Sequence, residues 1–419
     1  MARQTIPARA LALAILPGLL AACGTVGSPA IGEHWVASWG TAQLAPESKD
    51  ALPAADWRDA TLRQVLRVSL GGERLRVRFS NAFGSAPLVI SGASVALASG
   101  PGRATIDPAS ARELRFGGAA SVTIPAGAEY LSDPVLFKHA AGADLAVSMH
   151  FTEEPARQTA HPGSRATSFM AKGRRLAEAE LPGAVSFARW YQLAGVEVQA
   201  APGAHAVVAI GDSITDGYGV APDTNLRWTD ALALRLRTAG MHSVGVVNAG
   251  IGGGRLLRDG LGPNLAARFE RDVLARPGVR HAIVLIGVND FGTQHRNTED
   301  SPAMRRQLLA DMQEALRQVT ASAQARGVCV IGATITPYGG SEYYHPEKDN
   351  EQDRLAYNDW IRRSGTFDGV IDFDAALRDP TRPDRIRKEY DNDGLHPNMA
   401  GYRAMAQAVP LEMLGQCRR

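Results

Sequence analysis

Val207-Val208-Ala209-Ile210-Gly211-Asp212-Ser213-Ile214-Thr215-Asp216-Gly217-Tyr218-Gly219 is the stretch whose reading decides the fold. Residues 207–210 are apolar and predict a short buried strand, and the Gly-Asp-Ser turn that follows breaks into polar residues with glycines that permit a tight bend. A serine is thereby presented at the C-terminal end of a strand. Open α/β sheets place ligand chemistry there, because the loops gather over a crevice and helix N-termini point their N–H groups into it. A plain strand-to-helix turn, in which Ser213 only caps the next helix, fits the same residues. The remainder of the chain has to separate the two.

Downstream of this stretch, strand and helix patterns alternate, which predicts a parallel sheet covered by helices over residues 205–419. The expected order is a helix at 228–238, a strand at 243–248, a helix at 264–275 and a strand at 282–286. A long amphipathic helix at 302–326 follows, with Met304, Leu308, Leu309, Met312 and Leu316 on its core face. Strands at 328–334 and 370–373 and helices at 354–364 and 398–409 complete the pattern.

Two of these strands, like the one before Ser213, run into residues suited to acyl chemistry. The strand at 243–248 leads to Asn248-Ala249-Gly250-Ile251-Gly252-Gly253-Gly254, whose exposed N–H groups can hold a developing negative charge. The strand at 282–286 leads to Gly287-Val288-Asn289-Asp290, which offers an amide donor. Near the end stands Asp391-Asn392-Asp393-Gly394-Leu395-His396-Pro397, an acid three residues before a histidine on a loop that Pro397 keeps extended. A serine hydroxyl needs a base, the base needs an acceptor that fixes its tautomer, and the tetrahedral oxyanion needs donors. Asp391 is a rival to Asp393 as that acceptor, and Asp212 reads as a residue that shapes the turn.

The first half, residues 35–200, reads as β-rich. Residues 62–70 alternate apolar and polar, Gly71-Gly72 turns the chain, and Leu75, Val77 and Phe79 then oppose Arg74, Arg76 and Arg78, the pattern of a hairpin. Further strands are expected at 88–90, 93–97, 121–124, 145–151 and 190–198, so a sandwich or jelly-roll is predicted, with 199–204 as the linker. The arginine row reads as a solvated face or an edge guard in preference to a sugar- or anion-binding face, and Trp35 and Trp39 read as packing at the junction of the two halves in preference to stacking on a saccharide.

At 419 residues the chain has room for two domains, and 21% charged and 45% hydrophobic residues fit neither disorder nor a polytopic membrane protein. Arg3 and Arg9 precede an apolar run from Ala10 to Leu20, the layout of an export signal over residues 1–22. Its end, Leu20-Ala21-Ala22-Cys23-Gly24, resembles the lipobox of bacterial lipoproteins, which implies a lipid on Cys23, a tether at 23–34, and a chain exported and anchored in the bacterial envelope, at the outer membrane or cell surface. The full chain has 45 basic and 43 acidic side chains, and removal of Arg3 and Arg9 with the signal brings the two into balance. With no basic cluster, a nucleic-acid partner is not expected. Cys329 reads as a buried small hydrophobe, its pairing with Cys417 is not decided by sequence, and no Cys/His spacing suggests a metal.

Gly211-Asp212-Ser213, the Gly253 loop, Gly287-Val288-Asn289-Asp290 and Asp393-Gly394-Leu395-His396 occur in the order of the four blocks of the SGNH (GDSL) hydrolase family, which this half of the chain resembles. The resemblance implies a flavodoxin-like α/β/α sandwich. It implies Ser213 as nucleophile, Asp393 and His396 as the other triad members, and an oxyanion hole from the N–H groups of Ser213 and Gly253 and the amide of Asn289. The choice of Gly253 among three consecutive glycines rests on its place five residues after Asn248. No metal or organic cofactor is implied. The start Trp35-Val36-Ala37-Ser38-Trp39-Gly40-Thr41, with Gly262-Pro263-Asn264 and Asp372-Phe373-Asp374, resembles the secreted branch associated with xylan-degradation clusters. The ester substrate is then expected on an acylated polysaccharide, with deacetylation as the reaction. A lipolytic esterase or lysophospholipase, and an inactive glycan-binding lipoprotein, are the alternatives.

Overall fold

The strand His205–Gly211 is buried along its whole length, as a strand covered on both faces must be. It pairs in parallel with Val244–Gly250 on one side and Val279–Leu285 on the other, and Cys329–Ala333 and Gly369–Ile371 follow outward. Numbered along the chain, the sheet runs 2-1-3-4-5, the flavodoxin-like order. Its switch point falls between the strands that lead to Ser213 and to Asn289, which therefore face one crevice.

In this computed structural model residues 1–2, 33–297, 300–415 and 417 are described. Cys23 and all but the ends of segments 1–22 and 23–34 lie outside the described residues. Among those described, no helix is long and apolar enough to cross a membrane. Residues 34–419 form one compact unit, with antiparallel sheets in its first half and the parallel sheet in its second.

Four local expectations change. Met304 is exposed, while Met312 and Leu316 are buried and Leu308 and Leu309 pack at the edge, so the core face of Pro302–Gln324 starts a turn later than its apolar pattern does. The helix expected at 354–364 begins at Lys348. Its first turns are polar and carry no apolar period, but Asn350 accepts from the Glu347 N–H at 2.7 Å and caps them. A helix over Val288–Asn297 stands where the sequence suggests a loop, so Asn289 sits in a helical first turn. The 190–198 strand is broken at Gln192, whose φ is +55°.

The predicted 62–79 hairpin does not form. Ala60–Arg67 lies in a six-stranded sheet between Asp144–Phe151 and Ser168–Lys172. Gly72–Ser80 lies in the five-stranded sheet beside Leu193–Gln199. The polar face of the first arm is covered rather than solvated: the buried Arg63 guanidinium donates to Ser148 Oγ and to the carbonyls of Ala104, Arg175 and Glu178. Between the arms, Ser38 Oγ donates to the Leu70 carbonyl and accepts from its N–H, which turns the chain into the other sheet. Nor is the arginine row solvated. Arg76 and Arg78 converge on the two carboxylate oxygens of Glu197, itself 1% exposed.

The junction of the halves is built from close contacts. Trp35–Gly40 pairs with Leu193–Gln199 and packs against Val244–Gly250, with the Ala37 N–H donating to the Pro277 carbonyl at 2.9 Å. Trp39 meets Trp190 edge-on, 4.9 Å between ring centres, so both tryptophans of the opening motif are packing residues, Trp35 lying under Arg76. Cys329 and Cys417 are joined by a disulfide, which ties the C-terminus to the fourth strand. His161, from the β-rich half, places Nδ1 2.7 Å from the Ala42 carbonyl and Nε2 2.9 Å from Oδ1 of Asp216, three residues after Ser213. Both members are about 5% exposed. His161→Ala leaves the Asp216 carboxylate buried without this partner and is expected to cost about 3–5 kcal/mol, read as a lowered midpoint in urea unfolding.

Candidate active site

The turn after His205–Gly211 is shaped by its own residues. Asp212 caps the short helix Ser213–Asp216, accepting from the Ile214 N–H at 2.9 Å, which is the turn-shaping role read from the sequence. Gly250, at the end of the neighbouring strand, lets this helix approach, since a Cβ there would stand 2.2 Å from the Asp216 nitrogen. Beneath it, the buried Arg268 donates at 2.7 Å to the carbonyls of both Gly211 and Ala249 and pairs with Asp272. The ends of two strands are thus held by one guanidinium.

Ser213 Oγ lies 2.8 Å from Nε2 of His396, and His396 Nδ1 lies 2.9 Å and 3.1 Å from the two oxygens of Asp393. A carboxylate at Nδ1 fixes the proton there and leaves Nε2 to accept from the serine hydroxyl. Asp393 also accepts from the N–H groups of Leu395 and His396. Burial raises its pKa, but the hydrogen bonds and charge of His396 outweigh this and bring it down to about 2. Asp391 does not reach the imidazole; it accepts from the Gly394 N–H at 2.7 Å and shapes the loop.

The three oxyanion candidates meet on the other side of the serine. Asn289 is buried, its Oδ1 held by the Tyr344 hydroxyl at 2.7 Å and its Nδ2 donating to the Gly254 carbonyl at 2.8 Å, which leaves the second amide hydrogen for a ligand. In the glycine loop the Gly254 N–H is taken by the Ile251 carbonyl. Among the described residues no acceptor takes the N–H of Ser213, Gly252 or Gly253. Gly253 has φ +67°, the left-handed region where glycine carries no steric cost. The loop is pinned by Asp290, which accepts from the N–H groups of Leu256 and Leu257.

Sequence reading missed several neighbours. Tyr218 lies with its ring 4.2 Å from that of His396 and is 44% exposed, and the Arg165 guanidinium stands over the Tyr218 ring at 5.2 Å. Tyr344 orients Asn289, and His161 backs Asp216. Tyr218 falls inside the nucleophile stretch and was within reach of the motif; the others come from remote segments with no local signature. A cavity of about 500 Å³, lined among others by Trp39, Trp190, His161, Asp216 and Arg227, opens beside this site and does not include Ser213 or His396.

Burial pushes the Asp212 carboxyl up to about 7 and that of Asp290 up to about 6, in each case against the hydrogen bonds it accepts. A carboxyl raised in the fold stabilises the protein while protonated, and that contribution is lost as pH rises through its folded pKa. Asp212→Asn keeps an acceptor for Ile214 and abolishes ionisation. Its stability gain over the wild type is expected to grow between pH 4 and 7 to at most about 4 kcal/mol and to level off above, as measured by urea unfolding across that range.

No curated protein matches the chain. Among solved structures, it is similar to a GDSL-like lipase from Bacteroides thetaiotaomicron (18% identity, 50% of this chain and 88% of the other, TM-score 0.37). It is also similar to an acetyl xylan esterase (21%, 48% and 96%, 0.38) and to a variant of an acetyl xylan esterase from Geobacillus stearothermophilus (23%, 49% and 92%, 0.37). Residues 209–404, which hold Ser213, Gly253, Asn289, Asp393 and His396, match the model of the GDSL-like lipase/acylhydrolase family, a likeness that supports a serine ester hydrolase.

Proposed function

We propose that Ser213, His396 and Asp393 form the catalytic triad of an exported, lipid-anchored esterase that deacetylates an acylated carbohydrate. The observation that carries the mechanism is the unbroken line from Asp393 through His396 to the Ser213 hydroxyl, beside N–H groups with no acceptor of their own among the described residues. His396 takes the serine proton through Nε2 as Oγ attacks the ester carbonyl, and Asp393 stabilises the imidazolium. The oxyanion is held by the N–H groups of Ser213 and Gly253 and by the Asn289 amide. His396 returns its proton to the departing alcohol. Water, activated by the same base, then releases the acid and restores the serine.

Carbohydrate as the alcohol is supported by the resemblance of the opening Trp35–Thr41 segment to the xylan-cluster branch and by the exposed rings of Tyr218 and Tyr343, 44% and 59% accessible, the first against the triad histidine and the second against the tyrosine that holds Asn289. Such rings present apolar faces with a polar tip, suited to a sugar ring. The lipobox-like segment ending at Cys23 supports export and anchoring.

The purified chain is expected to release acid from p-nitrophenyl acetate and from acetylated xylan faster than from octanoate or palmitate esters. Ser213→Ala is expected to abolish turnover, and Asn289→Ala to lower kcat about 100- to 1,000-fold. A preference for long acyl chains selects the lipolytic reading instead, and full activity in Ser213→Ala rejects the mechanism. Because Asp393 is ionised down to about pH 2, the loss of rate on acidification is expected well above that pH, from another group. Cells fed labelled palmitate are expected to label the wild type and not Cys23→Ala; label in both variants rejects the anchor at Cys23.

A further inference from the structure

The β-rich half contributes one segment, residues 161–167, to the neighbourhood of the nucleophile. Among the described residues, every polar side chain on it is committed except one. His161 is bound to Asp216, the Ser164 carbonyl accepts from Arg227, the Arg165 carbonyl accepts from the Asp223 N–H, and Thr167 donates to Asp223 through N and Oγ1 at 2.7 and 2.6 Å. The exception is the guanidinium of Arg165. Among the described residues no hydrogen bond or ion pair engages it, and its Nε is enclosed without an acceptor. Its contact is the ring of Tyr218, at 5.2 Å, and that ring lies against the imidazole of His396.

Its setting differs from that of the other arginines in this region. Arg227 is paired with Asp230, Arg67 with Asp144 and Arg268 with Asp272. The carboxylates of the adjoining segments are engaged elsewhere, Asp216 by His161, Asp223 by Thr167 and Asp393 by His396. Arg165 also has φ +48°, a conformation that non-glycine side chains seldom adopt and that persists where the surroundings impose it. The cation–π contact with Tyr218 accounts for the position of the guanidinium but uses none of its donors. A planar fork of N–H groups, held one ring away from the nucleophile's base, has the geometry for a carboxylate.

We propose that Arg165 forms an anion subsite beside the triad, which binds a carboxylate carried on the alcohol part of the ester: an acetylated acidic sugar, with the acid group on the same or the adjoining residue. The inference rests on the reading of Ser213 as an ester nucleophile. It makes the β-rich half part of substrate recognition, with Tyr218 under the sugar and Arg165 at its acid group.

The test compares kcat/KM for two substrates that differ only in charge, monoacetylated methyl glucuronate and the equivalent monoacetylated methyl glucoside, in the wild type, Arg165→Gln and Arg165→Lys, each checked for an unchanged melting profile. The wild type is expected to prefer the uronate, and Arg165→Gln to lower that preference about 10- to 100-fold through KM, with partial recovery in Arg165→Lys. The subsite is overturned if the wild type shows no preference, if it cleaves p-nitrophenyl acetate but neither sugar, or if Arg165→Gln slows both sugars equally, the mark of a residue that only packs Tyr218 against His396. Failure of the esterase reading looks different: the wild type then cleaves no ester at all, or Ser213→Ala retains its rate.

Discussion

A single buried cation holds the place where this protein's chemistry converges. Arg268 lies beneath the C-terminal ends of the first two parallel strands, donates to the carbonyls of Gly211 and Ala249 and is itself balanced by Asp272. The Gly211 carbonyl also accepts from the Ile251 N–H at 3.1 Å, so the guanidinium adds a charged donor where the strand ends. The shared guanidinium fixes the spacing between the turn that presents Ser213 and the loop that carries Gly253. Asp272 also takes Arg271, which reaches the Gln43 carbonyl of the β-rich half. Strand ends, nucleophile turn and junction are therefore parts of one network.

The rest of the site is added by elements that arrive from elsewhere with their own supports. Asp393 and His396 stand on one loop, shaped by Asp391, so the relation between acid and base is local and the only long-range condition is that His396 reaches Ser213. Asn289 is placed by the strand before it, then turned by Tyr344 and Gly254 so that one amide hydrogen remains open. Asp212 and Asp290 sit at the bases of these loops as buried carboxyls whose pKa values burial raises. Carboxyls so placed trade stability for loop geometry, a pattern expected near functional sites.

Much of the parallel half was legible in the chain because its strands are mostly short apolar runs near glycines, as strands covered on both faces favour. The four loop motifs were legible because each carries a residue type suited to acyl chemistry on a loop of the α/β pattern. The β-rich half was less so. Alternation over residues 62–79 carries the same signal whether the two arms pair with each other or enter different sheets, and the Ser38 bonds that divert the chain come from a strand far upstream. The helix at Val288–Asn297 was hidden for the opposite reason, since Asn289 and Asp290 sit in its first turn among residues that also suit a loop.

By itself, the sequence determined the α/β pattern of residues 205–419 and marked Ser213, Asn289, Asp393 and His396 as candidates, since these follow from local periodicity and from residue types suited to acyl chemistry. Tertiary structure alone decided that Cys329 meets Cys417, that Arg76 and Arg78 share Glu197, and that the segment 161–167 brings His161 and Arg165 to the nucleophile's side. These are contacts between residues that lie far apart along the chain. No period or spacing encodes them, because they depend on which sheet each strand joins and on how the two halves pack.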